Sequence, residues 1–222
     1  MKKILVILII LSIAFNLASC DRSYDEQEVA TAAKELIINS LFLNEIYWGE
    51  GIPYIYNAST ANGAYCEANP LFLKNSGFET VEELKNLTQE VFSSSYCDSI
   101  FQTAFSSVVD ETELQLYARY YQKYYDVECK EPECIMVYSY FESLLPDTVE
   151  YLYDTLTVSH SKKETVYVKV MARVTREDGE SQLREKTIAL IEEENGWRLD
   201  SATYLAYNSS QEIYEDLLEN KK

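Results

Sequence analysis

Histidine, proline and glycine are scarce in this 222-residue chain, which has 1 His, 4 Pro and 6 Gly. His160 is the only histidine. Any Ser–His or Cys–His catalytic pair would therefore have to use His160, since the chain has no second histidine to act as a base. The sequence has no glycine-rich phosphate loop, no G-x-S-x-G and no H-E-x-x-H. We therefore expect no catalytic residues, no metal and no cofactor. The stretch SHSKKE around His160 reads as an exposed turn between strands.

Basic residues are also few: 19 Lys and Arg stand against 37 Asp and Glu, a formal charge of −18. Such a surface repels nucleic acid and anionic lipid headgroups, and it favours cationic partners. The alternative is that the acidity only keeps the domain soluble. Two carboxylates at a suitable distance could support glycoside hydrolysis, but no pair stands out in the sequence.

The sequence has one long apolar run, from Ile4 to Leu17, which follows two lysines. This run is shorter than the roughly 20 residues of a membrane span, and it has the length of a signal-peptide core. Leu-Ala-Ser-Cys20 comes next and resembles the lipobox of bacterial lipoproteins. The resemblance implies a signal peptide over residues 1–19, a lipid on Cys20 and a tether over 20–28. It also implies a location on the outer side of the cell membrane. The alternative is an ordinary secretory signal with a chance cysteine.

Four further cysteines are Cys66, Cys97, Cys129 and Cys134. Outside the membrane an even number suggests disulfides, and four cysteines allow three connectivities. The segment CKEPEC favours a small ring between Cys129 and Cys134, which leaves Cys66 to pair with Cys97. Zinc is the competing interpretation, but the chain has no CxxC and only one histidine.

The N-terminal half has helical periodicity. Asp25 can cap a long helix from Glu26 to Trp48, which two nearby glycines would end. Thr80-Val81-Glu82-Glu83 is a capping box for an amphipathic helix that continues to Phe92, and a shorter helix is expected over 96–105.

A long aromatic segment, residues 49–70, separates the first helix from the others and reads as a loop. Exposed aromatic side chains often supply the binding energy of protein interfaces. Tyr54 and Tyr56 in this loop are therefore the candidate contact residues. Burial of the loop on the domain is the alternative.

After the last cysteine the apolar period changes to two. The alternation predicts strands, with hairpin turns at Asp-Gly and Asn-Gly, over residues 135–140, 148–158, 165–175, 181–193 and 197–204. The segment 112–128 stays unassigned, and a last helix is expected over Gln211 to Leu218. Helices followed by strands predict an α+β fold, with N-terminal helices packed on a curved antiparallel C-terminal sheet in one domain over 29–222.

This order of elements, with the ending GWRLDSATY, resembles the NTF2-like and cystatin-like folds over residues 80–204. Within them, YWGEG, FLKNSGFETVEELKNLTQEVFS and GWR resemble bacterial inhibitors of cell-wall DL-endopeptidases. The resemblance implies a non-catalytic protein that restrains a cationic cell-wall hydrolase by surface contact. This chain departs from those inhibitors in its lipobox, its cysteines and its many tyrosines. The alternative is a small-molecule pocket between helices and sheet, in a carrier or a weak enzyme.

Overall fold

The computed structural model describes residues 24–56, 61, 63–106, 108–109, 115–126, 128–145, 148–175 and 179–205. Cys20 with its lipobox and the helix expected at Gln211–Leu218 lie outside these residues. The helices are α1 (Glu26–Trp48), α2 (Pro70–Ser76), α3 (Val81–Val91) and α4 (Ser94–Phe105). The strands are β1 (Tyr54–Ile55), β2 (Tyr65–Ala68), β3 (Val108–Val109), β4 (Gln115–Leu116), β5 (Tyr120–Asp126), β6 (Glu131–Tyr138), β7 (Thr148–Lys162), β8 (Thr165–Thr175), β9 (Ser181–Glu193) and β10 (Gly196–Leu199).

The strands form two separate four-stranded antiparallel sheets, where the sequence analysis expected one curved sheet. The first sheet has the order β1-β2-β6-β5, the second has the order β10-β9-β8-β7, and β3 pairs with β4. The expectation was wrong about β6, which pairs with β2 from the first half of the chain, with Tyr65 opposite Tyr138. The α+β class is confirmed, with N-terminal helices packed against antiparallel sheets.

The predicted start of α1 is confirmed. The Asp25 carboxylate accepts the amides of Gln27 and Glu28 and so satisfies two of the unpaired donors of the first turn. Because the helix begins at Glu26, the last three residues of the expected tether are helical. One face of α1, including Val29, is buried in the main core, which also contains the valines of β8. Among the described residues, none of the helices has both the length and the apolar character that crossing a membrane requires.

The C-terminal end of α1 is fixed by a buried arginine from another part of the chain. Arg119, just before β5, donates to the carbonyl oxygens of Tyr47 at 2.7 Å and Gly49 at 2.6 Å. The Tyr120 hydroxyl donates to the Ile46 carbonyl oxygen at 2.6 Å, and the Trp48 carbonyl oxygen accepts the amide of Leu144. The carbonyl groups that a helix leaves without intrahelical partners are thus paired, and a cation lies at the negative end of the helix dipole.

Gly51 allows the arginine to approach the backbone this closely. Its φ is +83°, in the region that favours glycine, and a Cβ atom there would lie 2.3 Å from Arg119 Nη2. The glycines after α1 therefore end the helix, as expected, and one of them also leaves room for the guanidinium group. That group also lies over the ring of Phe141, with Cζ 3.5 Å from the ring centroid.

The capping box is also confirmed. The Thr80 hydroxyl accepts the amide of Glu83 at 3.2 Å, and the Glu83 carboxylate accepts the amide of Thr80 at 3.0 Å. The backbone amides of Glu79 and Thr80, which both donate to the Glu83 carboxylate, hold the pKa of Glu83 below its usual range. The helix that follows ends at Val91, and the next begins at Ser94, two residues before the expected start.

The second sheet follows the predicted meander closely, except near His160. Strands β8 and β9 have the predicted limits, and β10 is shorter than expected. His160 was expected in a turn, but β7 extends to Lys162 and His160 pairs with Tyr167. The turn follows the end of β7, at Lys163, whose φ is +58°.

All four described cysteines are free in the structure, so neither expected disulfide is formed there. Cys134 lies within β6, which begins at Glu131. A strand advances about 3.3 Å per residue, which holds Cys134 too far from Cys129 for the Cα separation of about 5.5 to 6 Å in a disulfide. Cys66 is buried in β2, and the thiol of Cys97 in α4 lies 3.5 Å from the carbonyl oxygen of Phe92.

Candidate functional site

Tyrosine side chains cover the outer face of the first sheet. We call this patch the tyrosine surface and define it as Tyr65, Tyr117, Tyr121, Tyr138 and Tyr140. Strands β2, β5 and β6 or the residues that flank them supply its members. Tyr140 is 73% exposed and Tyr117 is 48% exposed, while the other three are partly buried. The patch is therefore an aromatic face open to solvent.

The rings contact one another around Tyr65. Its centroid lies 4.9 Å from that of Tyr121, 5.5 Å from Tyr138 and 6.5 Å from Tyr117. Tyr117 and Tyr138 are stacked at 5.2 Å with an interplanar angle of 14°, and Tyr140 meets Tyr138 edge-on at 5.9 Å. These separations lie within the range of favourable aromatic pairs, so the rings support one another in fixed positions.

Strand alternation explains why the tyrosines share one face. In the register, Tyr65 is opposite Tyr138, and Met136 lies between Glu67 on one side and Tyr121 on the other. Side chains directly opposite point to the same face of a sheet. Met136 therefore lies on the tyrosine face, yet it is fully buried. Its burial indicates that neighbouring side chains cover it.

Tyr65 is held by its hydroxyl group as well as by its ring. The hydroxyl donates to the carbonyl oxygen of Ala118 at 2.6 Å, which ties β2 to the residue before Arg119. Burial raises the pKa of Tyr65 to about 12, and the neighbouring tyrosines Tyr121, Tyr138 and Tyr117 add to the increase. Arg119, which pairs with the end of α1, therefore follows directly after Ala118, whose carbonyl oxygen holds the Tyr65 hydroxyl.

The raised pKa of Tyr65 predicts an alkaline loss of stability. The folded pKa of about 12 lies above the unfolded value of about 10, so Tyr65 contributes no pH dependence below about pH 10. Its contribution is lost as the pH rises from about 10 to 12, because the unfolded chain releases the proton more readily. We expect the free energy of unfolding, measured with urea over this range, to fall less steeply in Tyr65→Phe than in the wild type. The control is Tyr125→Phe, at a 74% exposed tyrosine, and equal slopes in the wild type and Tyr65→Phe would contradict the prediction.

Charged groups lie along the same face beside the tyrosines. One carboxylate oxygen each of Glu67 and Glu133 and the Cys134 sulfur lie within 4.8 Å of one another. The Lys123 ammonium group is 2.8 Å from the Glu133 carboxylate, and this hydrogen bond raises the pKa of Lys123. Burial, with the two carboxylates, raises the pKa of Cys134 and keeps its thiol protonated. The group therefore consists of two carboxylates, one ammonium and one neutral thiol.

Two close carboxylates could in principle serve acid–base chemistry, but this arrangement suits cation binding better. Lys123 already pairs with Glu133, so one of the two carboxylates has a fixed cationic partner within the protein. The face around the pair is an open sheet surface, whereas glycoside hydrolysis requires a site that holds and distorts the sugar. Carboxylates next to the negative faces of aromatic rings attract ammonium and guanidinium groups.

Tyr54 and Tyr56 lie at the edge of the first sheet rather than within the tyrosine surface. Tyr54 pairs with Ala68, so its side chain belongs to the opposite face, and its hydroxyl donates weakly to the Ser139 carbonyl oxygen at 3.4 Å. Tyr54 is 43% exposed and Tyr56 is 76% exposed. Both are accessible, and the segment 49–70 contains β1, β2 and the start of α2 instead of the expected plain loop.

The remaining nucleophile and base candidates are not arranged for catalysis in the described part of the chain. The His160 ring stacks on Tyr167 at 4.5 Å on the exposed second sheet, and its Nδ1 lies 3.0 Å from the adjacent Ser159 hydroxyl. Burial and neighbouring carboxylates raise the pKa of Cys97 to about 12, which leaves it an unreactive thiol.

The tyrosine surface was not predicted from the sequence, although part of its pattern is present there. The segment 112–128 stayed unassigned, yet Tyr117, Tyr121 and Lys123 in it follow the spacing of one strand face. Tyr65 and Glu67 show the same spacing within the expected loop.

No protein-family model and no curated protein matches this chain.

Proposed function

We propose that this protein is a non-catalytic binding module, held by a lipid on Cys20 at the outer side of the cell membrane. Its partner is a basic protein of the cell envelope, which the module restrains by surface contact. A cell-wall hydrolase is the partner that the resemblance of the sequence suggests. No nucleic acid takes part, because a chain of this charge repels it.

The observation that carries the proposal is the tyrosine surface beside Glu67 and Glu133. Solvent-exposed aromatic clusters of this kind mark interaction sites, because tyrosine offers a large contact area at little cost in conformational entropy. Removal of the first 19 residues would leave 17 basic and 37 acidic residues, a formal charge of −20. Such a charge steers basic proteins toward the surface and suppresses acidic competitors.

The fold supports the finer part of the proposal, an NTF2-like or cystatin-like arrangement. The long helix α1 packs against β7 and β10 of the second sheet, as a helix does in front of the meander in those folds. The space between them is occupied by packed side chains, among them Ile37 of α1 and Val168 and Ile188 of the sheet. A filled core favours a surface-binding role over the alternative of a small-molecule pocket.

Recovery of a partner from envelope extract tests the proposal. We expect the full-length protein, solubilised in detergent and immobilised, to retain a basic protein at about 0.05 M salt and to release most of it at about 0.5 M, because salt screens surface charges. Bare resin and resin carrying an unrelated acidic protein are the controls. Retention of no protein above the controls, or of an acidic protein only, would contradict the proposal.

A further inference from the structure

Of the two carboxylates beside the tyrosine surface, Glu67 is the one whose charge is less compensated. Lys123 lies 2.8 Å from the Glu133 carboxylate and acts on Glu67 only at longer range. Within the part of the chain that the structure describes, no salt bridge or hydrogen bond reaches the Glu67 side chain. Because Cys134 stays protonated, two carboxylates share one ammonium group, and one negative charge is left over.

The aromatic rings lie next to that charge. Glu67 follows Tyr65 by two residues on the same strand, so the two side chains share one face. On the neighbouring strand Met136 separates Glu67 from Tyr121, and the rings of Tyr65 and Tyr121 approach to 4.9 Å. A flat cation that binds the carboxylate can therefore reach an aromatic ring at the same time.

We propose that Glu67 is the docking point for an arginine side chain of the partner, with the guanidinium group paired to the carboxylate and its plane stacked on one of the two adjacent rings, Tyr65 or Tyr121. Arginine fits better than lysine, because the guanidinium group is planar, binds a carboxylate through two parallel hydrogen bonds and stacks on aromatic faces. This inference rests on the proposed function and names the chemical group that the tyrosine surface recognises.

A bound metal ion is a poorer fit to the same group of side chains. The ammonium group of Lys123 already lies against one of the two carboxylates, and the sulfur that would be the third ligand is protonated. A metal ion would have to displace the Lys123 ammonium group and remove the proton from the Cys134 thiol. An arginine requires neither change, because it binds the carboxylate that Lys123 leaves uncompensated.

Peptide binding to the full-length protein in detergent, measured by titration calorimetry, tests the inference. The probes are three hexapeptides, of arginine, of lysine and of citrulline, the last being neutral but of nearly the same shape as arginine. We expect the arginine peptide to bind at least about 3-fold more tightly than the lysine peptide, and at least about 10-fold more tightly than the citrulline peptide.

Two matched variants separate Glu67 from the general acidity of the protein. We expect Glu67→Gln to weaken binding of the arginine peptide by at least about 10-fold, which corresponds to about 1.4 kcal/mol. Glu185→Gln, at an exposed carboxylate of the second sheet that pairs with Lys169, should leave binding unchanged. Equal weakening by the two variants, no effect of Glu67→Gln, or equal affinity for the arginine and lysine peptides would each overturn the inference.

Failure of this inference is distinguishable from failure of the proposed function. If envelope extract yields a basic partner that Glu67→Gln retains as well as the wild type, the module binds its partner without this arginine contact. If the arginine peptide binds through Glu67 but the extract yields no partner, the contact is present and the proposed function is wrong. Unchanged thermal unfolding of Glu67→Gln would show that lost binding does not result from lost folding.

Discussion

The Arg119→Met variant is expected to be less stable than the wild type by about 3–5 kcal/mol in urea unfolding. Methionine fills much of the same volume but leaves the buried carbonyl groups of Tyr47 and Gly49 without donors at the end of α1. Each hydrogen bond from a charged group contributes about 1.5–3 kcal/mol, and buried unpaired groups carry a further cost. Burial lowers the pKa of Arg119, yet the nearby Tyr120 hydroxyl and two glutamates favour its charged form.

Two other substitutions bracket this effect. Arg173→Met removes an arginine whose ion pair with Glu150 lies on the surface, and we expect a loss of less than about 1 kcal/mol. Arg119→Lys keeps the charge but loses the planar group that reaches two carbonyl oxygens and the Phe141 ring, so its loss should be intermediate. If Arg119→Met were no less stable than Arg173→Met, the role assigned to Arg119 would be wrong.

The Cys20→Ala variant is expected to move from the membrane fraction to the soluble fraction almost completely. Each buried methylene of an acyl chain contributes about 0.8 kcal/mol, so the two or three chains of a lipoprotein anchor it firmly, while one alanine anchors nothing. The measurement is fractionation of cells that express each form, followed by immunoblotting. Cys129→Ala is the matched control, because Cys129 is an exposed free cysteine of the folded domain and its loss should leave the protein in the membrane fraction. Membrane association of Cys20→Ala equal to that of the wild type would contradict the lipid anchor.

Local patterns predicted the parts of the fold whose determinants lie close together in the sequence. Strand β8 has the predicted limits because its alternating valines face a core that buries them. Helix α1 begins and ends where Asp25 and Gly49 indicated, since capping depends on residues within one turn. The beginning of β6 was missed because Pro132 and its charged neighbours resemble a turn.

The pairing of β6 with β2 could not be predicted from local patterns, and the candidate site depends on it. Tyr65 and Tyr138 lie 73 positions apart in the sequence and meet only through this register. Tyrosine is both apolar and polar, so its periodicity does not reveal which face it occupies. Arg119 is another example, because its carbonyl partners at the end of α1 are about 70 residues away. Tyr54 and Tyr56, the contact residues proposed from the sequence, are exposed at the edge of the first sheet, whereas the larger aromatic surface covers its outer face.

The most direct test of the tyrosine surface compares partner retention by two variants of the full-length protein. Tyr117→Ser with Tyr140→Ser removes its two most exposed rings, and Leu183→Ser removes a 58% exposed apolar side chain from the other sheet. We predict that the double variant loses most of the basic envelope protein that the wild type retains, while Leu183→Ser retains it. Equal retention of that protein by the wild type and both variants would contradict the claim that this protein binds its partner through the tyrosine surface.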